Sequence, residues 1–285
     1  MPRTTHPPLD PQPAIRPLTE REFGKISRLA YEKFGLELKP GKQQLVSARL
    51  GKKVRAAGCS SFDEYYESVV ADSTGESLIE LIDALTTNFT DFMREPAHFE
   101  FLRQEALARW LKRERVRIWS TACSTGEEPY SIAFALLDAL GNAGRPRLEI
   151  VATDISSRAL EHAQRGVYPA ARLANLPAAW QRSYFLRGEG KWQGSYRVKP
   201  EVAALVRFRR LNLNESFSHP EPFSVILCRN VMIYFDRPTQ QRLVRQLASQ
   251  LEPGGYLLIG HSESLTAIDH PLSYVRPTIY RRSAA

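Results

Sequence analysis

Cysteine is scarce in this 285-residue chain: Cys59, Cys123 and Cys228 are odd in number and form no C-x-x-C pair. That argues against a disulfide framework and a zinc knuckle, and leaves three small apolar residues expected in a core. The six histidines are scattered without ligand spacing, so no metal is indicated. No apolar run reaches the ~18 residues of a membrane span, and the proline-rich start has no signal-peptide core. The expectation is a cytoplasmic protein. Glycine is missing where a dinucleotide would need it, because G-x-G-x-x-G is absent and the turn after the apolar run from Arg117 holds Gly126 alone.

What is present around that turn is RIWSTACSTGEEPYSIA, residues 117–133, followed by LEIVATD ending in Asp154. Strand, tight turn, helix, then strand with a terminal carboxylate is how doubly wound α/β domains build a nucleoside pocket at the carboxyl ends of their strands. Glu127 and Glu128 open the helix where a phosphate would want bare amides, which disfavours a phosphate-bearing ligand. A ligand with ribose hydroxyls and a positive charge fits better, since Asp154 can accept from a diol and an acid in the first helical turn can face a cation. S-adenosylmethionine has both features. Taken alone, the segment equally suits the turn and cap of any βαβ unit.

At 43% hydrophobic content, the chain can bury one good core and a smaller second one. Residues 1–17 hold six prolines and read as a disordered leader. Residues 18–86 read as a small helical domain. Thr19 to Glu22 is a capping box, with Phe23, Ile26, Ala30 and Phe34 at helical spacing and Gly35 as the stop. A second helix is expected over 42–57, a third after the cap at Ser61, and a fourth on the stripe Leu78, Leu81, Ile82 and Leu85. Residues 87–97 form a linker, and 98–285 an α/β domain that opens with a helix over 99–112. Its strands are expected at 117–120, 148–153, 223–228 and 256–260, with a terminal strand over 274–280, and its helices at 128–140, 157–164 and 238–251. Between about 167 and 211 the βα rhythm breaks, and strand-like segments at 184–186, 195–198 and 206–211 suggest an inserted β-subdomain.

Charge is segregated beyond the net +8: residues 38–62 carry Lys39, Lys42, Arg49, Lys52, Lys53 and Arg55 without an acid, and 56–93 carry eight acids without Lys or Arg. On the second helix Lys42, Arg49 and Lys53 line one stripe, with Lys52 and Arg55 beside it, opposite an apolar stripe of Val46, Leu50, Val54 and Ala57. Such a face is either merely solvated or a dock for an acidic partner.

Further segments complete a constellation: LTTNFTDFMREP in the linker, CRNVMIYFD after the strand from Phe223, RLNL around Asn212, and GGYLLIGHSES closing the next strand. Together with ACSTGEEPYSIA and ATDI, these resemble the CheR family, bacterial chemotaxis methyltransferases, over residues 19–282. Met93 departs mildly from the aromatic residue usual at that position. The resemblance implies a Rossmann-like, S-adenosylmethionine-dependent methyltransferase domain behind an N-terminal all-helical domain, with no metal. The activity implied is methyl transfer to glutamate side chains of chemoreceptors, leaving S-adenosylhomocysteine.

By the same resemblance, Asn88, Thr90 and Arg94 look like the linker residues that close over the cofactor. Glu128 looks like the acid near its methionyl amino group or sulfonium, and Asp154 like the ribose acceptor. Asn212 and Leu213 would flank the adenine, Asn230 and Val231 would approach the methionyl portion, and Arg94 and Tyr234 are candidates for the reacting centre. The basic face would seat glutamate-rich receptor helices, membranes being reached only through receptors. The loop carrying Gly188, Gly190 and Gly194 sits where some relatives hold a receptor C-terminal peptide by strand addition.

Competing readings fit less well. A nucleic-acid methylase would carry Asn or Asp, then Pro-Pro and an aromatic, where this chain has Asn230-Val231-Met232-Ile233, so no nucleic-acid partner is expected. Gly260 to Ser264 lacks the final glycine of a hydrolase nucleophile elbow. A noncatalytic receptor-binding scaffold is disfavoured by Arg94, Asp154 and Asn230 occurring together.

Overall fold

The computed structural model describes residues 16–86, 89–141 and 147–284. All of the leader but Arg16 and Pro17 lies outside the described residues, as does Asn88. Two compact units meet in sequence between residues 87 and 88, with the short stretch Lys33–Glu37 belonging to the second. No described helix is long and apolar enough to cross a membrane.

The first unit is helical: α1 (Glu20–Phe34), α2 (Gln43–Ala56), α3 (Phe62–Ala71) and α4 (Glu76–Leu85). The capping box forms as its residues require. Glu22 N–H donates to Thr19 Oγ1 at 3.3 Å and Thr19 N–H to Glu22 Oε2 at 2.9 Å. Glu22 also receives both Arg16 guanidinium nitrogens and the Asp63 N–H in the first turn of α3, so one buried carboxylate joins two helix starts. Ser61 caps α3 by accepting from Glu64 N–H. On α2, Val46, Leu50 and Val54 are buried as expected, with Gly51 added; Ala57 lies past the helix end and is exposed. On α4 the buried stripe runs through Ile79, Leu81, Ile82 and Leu85, with Leu78 half-buried.

In the second unit α5 (Pro96–Glu105) widens into a π-helical turn, Ala106–Trp110, where a single helix was expected. The wider turn keeps Ala106 and Trp110 in the core and leaves Leu107 at the surface. The chain continues through β1 (Arg115–Ser120), α6 (Glu127–Leu140), β2 (Arg147–Asp154), α7 (Ser157–Arg165), β3 (Val167–Pro169), α8 (Ala178–Tyr184), β4 (Phe185–Arg187) and β5 (Ser195–Val198). It then runs through α9 (Pro200–Ala203), β6 (Val206–Arg210), β7 (Phe223–Cys228), α10 (Arg237–Ser249), β8 (Leu251–Ile259), β9 (Leu272–Arg276) and β10 (Ile279–Arg282).

Seven strands form one sheet in the order β6-β2-β1-β7-β8-β10-β9. The pairs from β6 to β8 are parallel, and β10 runs antiparallel to both β8 and β9. Every residue of β7 is buried, because helices cover both faces of the parallel part. Strand order reverses between β1 and β7, which opens a crevice at their carboxyl ends. All three cysteines are buried and free.

Two expectations need correction. Residues 206–211 are not part of the insertion: β6 pairs in parallel with β2 at the edge of the main sheet, and only β3, β5 and β4 form the separate antiparallel sheet. An edge strand with Val206 inward and Arg207, Arg209 and Arg210 outward has the alternation of a hairpin arm, which is why it misleads. The terminal strand over 274–280 is a hairpin, turned at Pro277 and Thr278, whose φ is 65°.

Candidate active site

The site is built at the tips of β1, β2, β7 and β8, where four residues without a glycine's freedom adopt left-handed backbone: Met93, Glu95, Ser124 and Asn230, with φ between 47° and 59°. Such conformations cost about 1–3 kcal/mol each and persist only where the surroundings over-determine them. Three are held in one way, a side-chain oxygen capturing the strained residue's own amide. Met93 N–H donates to Ser131 Oγ at 2.9 Å, Ser124 N–H to Asp154 Oδ2 at 2.7 Å, and Asn230 N–H to Glu263 Oε2 at 2.9 Å.

Gly126 closes the turn into α6 at φ 97°, and a Cβ there would lie 2.8 Å from both Ala163 Cβ and Tyr168 Oη. Glycine is therefore the residue that fits. Of the two acids that follow, Glu127 is buried and turned away from the crevice: it accepts from Thr125 Oγ1 at 2.6 Å and pairs with Arg172, whose guanidinium also holds Asp91 and the Thr90 carbonyl. Glu128 accepts from Ser120 Oγ at 2.7 Å and from Arg229 at 2.8 Å. Burial pushes its carboxyl above the usual range, although Arg229 and Ser120 oppose the shift.

Arg229, 2% exposed at its side chain, is the hub. It joins Glu128 on α6 to Glu95 in the linker at 3.1 Å, donates to the Arg94 carbonyl, and lies over the Phe99 ring at 5.6 Å. Burial alone would raise the Glu95 carboxyl; the Arg229 charge and bonds from the His261 N–H and the Asn230 amide hold it low instead. Glu263 accepts from the N–H groups of Gly260, Asn230 and Met232, tying the tip of β8 to the tip of β7. A Cβ at Gly260 would fall 2.4 Å from Asn230 Nδ2, so this approach also needs glycine. His98 is buried, and its burial first, then the Arg229 charge, lowers its pKa to about 3, leaving a neutral ring.

The expected residues converge in part. Asp154 ends β2 with its carboxylate oriented by the amides of Ser124 and Ser156. Thr90 is buried, and its carbonyl is gripped by Arg172. Arg94 extends its guanidinium to the Phe89 carbonyl at 2.7 Å and over the Phe89 ring. Asn230 donates to Glu95 at 3.3 Å, and Val231 is half-buried beside it. Asn212 follows β6, whose end is bonded to the tip of β2 through Leu211 N–H and the Asp154 carbonyl. Its amide is engaged by Lys33 O, Glu215 and Asn214, and Leu213 is buried in the core. Tyr234 lies one turn beyond the tip of β7, half-buried, its carbonyl accepting from Glu37 N–H. Met93 packs against the core as an apolar filler. Sequence reasoning missed Arg229, Glu95, Glu263 and Arg172. The signal was in plain view for two of them, since Arg229 precedes Asn230 and Glu95 follows Arg94 in the motifs that carried the reading.

The donor set fits an adenosyl sulfonium ligand: an oriented carboxylate at the β2 tip for a diol, a buried acidic first turn where a phosphate would be repelled, and a crossover crevice beside both. Strand order and site together fit an S-adenosylmethionine-dependent methyltransferase. Residues 88–280 match the family model of the CheR methyltransferase SAM-binding domain, and 21–86 that of the CheR methyltransferase all-alpha domain. A chemotaxis protein methyltransferase of Klebsiella aerogenes is 42% identical over 93% of this chain and 90% of its own length. Chemotaxis protein methyltransferase 2 of Pseudomonas aeruginosa is 41% identical over 92% and 93%, and the Escherichia coli enzyme 39% over 93% and 92%. The chain belongs to the CheR family of chemotaxis methyltransferases.

Proposed function

We propose that this protein methylates glutamate side-chain carboxylates of methyl-accepting chemoreceptors, forming the methyl esters used in adaptation. The observation that carries the reading is that both units match one family, whose relatives are chemotaxis protein methyltransferases across nearly their whole length. The chemistry agrees. A glutamate carboxylate, with an ordinary pKa of about 4.3, is already the nucleophile at neutral pH, so no general base is required. None stands out in the site: His98 is held by Thr278 and Glu263 by three backbone amides.

S-adenosylmethionine supplies an electrophilic methyl group on a cationic sulfur. Asp154 would accept from its ribose, and Glu128, backed by Arg229, would face its positive end. Arg94, half-exposed and steadied on Phe89, presents a planar fork to the incoming carboxylate and so fixes the angle of attack. The linker residues 89–95 exclude water where opposite charges neutralise.

Methyl-labelled cofactor incubated with receptor-bearing membranes should yield protein-bound label that alkali releases as methanol; label that resists alkali rejects the reading. Arg94→Ala should depress transfer far more than cofactor affinity, and near-normal single-turnover transfer would remove Arg94 from the mechanism.

Two docking surfaces support the same substrate. On α2, Lys42, Lys52 and Arg55 are exposed, whereas Arg49 donates to the Leu85 carbonyl and Lys53 pairs with Glu80 at 2.8 Å. Acidic receptor helices would be steered by the three exposed cations, so reversing them to Glu should weaken receptor methylation and its salt dependence while cofactor binding stays intact.

In the small sheet, β4 is an edge strand, and a cleft of about 460 Å³ beside it is lined by Leu186, Gly188, Trp192, Tyr196, Arg165 and Arg197. Leu186 and Trp192 are exposed there, and Gly188 must be glycine because a Cβ would strike the Trp192 carbonyl at 2.2 Å. A receptor C-terminal peptide added to this edge fits the apolar wall and its arginines. Calorimetry with such peptides tests it, and absence of heat with every one rejects it.

A further inference from the structure

Glu95, His98 and His261 converge although the two histidines are far apart in the sequence. His98, 1% exposed, has its Nε2 2.7 Å from Thr278 Oγ1, and that hydroxyl gives its one proton to the Pro277 carbonyl at 2.6 Å. With that proton on the Pro277 carbonyl, Nε2 is the donor and Nδ1 carries a bare lone pair. Nδ1 has no hydrogen-bond partner and faces Glu95 Oε2 at 3.4 Å, so two acceptors confront each other in a buried place. His261, with a side chain 56% exposed, sets its Nε2 3.9 Å from the same oxygen. The ligand atoms of the three residues all lie within 4.8 Å of one another.

We propose that Glu95, His98 Nδ1 and His261 Nε2 form a binding site for a transition-metal dication of the Zn2+ or Co2+ type, with water completing the shell. Two imidazoles and one carboxylate suit these ions and not Mg2+ or Ca2+, which prefer all-oxygen shells. The bond from His98 Nε2–H to Thr278 is the outer contact that fixes the tautomer and orientation of a ligating imidazole. Local charge also favours a cation: Glu95 and Glu128 both pair with Arg229, two carboxylates to one guanidinium. Arg229 contacts the same Glu95 oxygen, so an arriving ion competes with it for that oxygen.

The test uses the full chain without an affinity tag, stripped with chelator, then dialysed to equilibrium against Zn2+ with metal analysis and titrated with Co2+ by visible absorption. The expected result is one equivalent per chain, with His261→Ala weakening affinity by about tenfold or more and His162→Ala, on α7, leaving it unchanged. His98→Gln should lose the site as well; if that variant does not fold, His261→Ala on the exposed ring still decides. No stoichiometric binding, or equal affinity in His261→Ala and the unaltered protein, overturns the proposal.

Discussion

Replacing Arg229 with Met should cost the catalytic unit about 3–5 kcal/mol, the penalty for stranding buried charge when one partner of an ion pair is removed. The structure sets this range. The guanidinium lies between Glu95 and Glu128, whose side chains are 10% and 13% exposed, so two carboxylates lose their counter-charge together. Met keeps much of the packing against Phe99, which separates the charge effect from a cavity. With a urea slope of about 2–3 kcal/mol/M, the unfolding midpoint should fall by roughly 1–2.5 M. Tryptophan fluorescence is the suitable assay, because Trp110, Trp119, Trp180 and Trp192 are all four tryptophans of the chain and all follow residue 88. Adding Glu128→Gln should recover part of the loss, giving a coupling of about 1–3 kcal/mol. A loss below about 1 kcal/mol, or strict additivity of the two changes, would refute the view of Arg229 as the hub.

Three other outcomes follow from named contacts. In the helical unit, bonds from Thr19 and Arg16 outweigh the effect of burial and hold the Glu22 carboxyl below its ordinary 4.5. Its stabilisation is complete above that value and is lost as pH falls through the lower folded value. The stability gap between Glu22→Gln and the unaltered protein should be constant near neutrality and close in acid; a gap that widens in acid is incompatible with this. Gly126→Ala combines a left-handed backbone with contacts of 2.8 Å and should cost about 2–4 kcal/mol in denaturant unfolding, so a change under about 1 kcal/mol contradicts the packing. Arg172→Ala removes the grip on Thr90 O, Asp91 and Glu127, and cofactor affinity should fall several-fold; unchanged affinity means the linker does not depend on it.

The sequence carried the local rules well and the long-range meetings poorly. Thr19 and Glu22, Ser61 and Glu64, and the glycine turn at Gly126 are read within a few residues, and each forms as its chemistry dictates. The strand ending in Asp154 was legible because its apolar run is buried on both faces. β6 was read as a strand but assigned to the insertion, because an edge strand shows only one apolar face. Arg229 was passed over because an arginine at a strand tip gives no sign of its partners; Glu95 and Glu128 reach it from distant segments. For the same reason spacing alone did not bring His98 and His261 together.

The central claim is that the crevice at the carboxyl ends of β1, β2 and β7 holds S-adenosylmethionine with Asp154 as ribose acceptor. Calorimetric titration with S-adenosylmethionine and with S-adenosylhomocysteine tests it most directly. Saturable binding of both, near one per chain and weakened at least about tenfold in Asp154→Asn, is the predicted result. No uptake of either ligand, or equal affinity in Asp154→Asn, would contradict it.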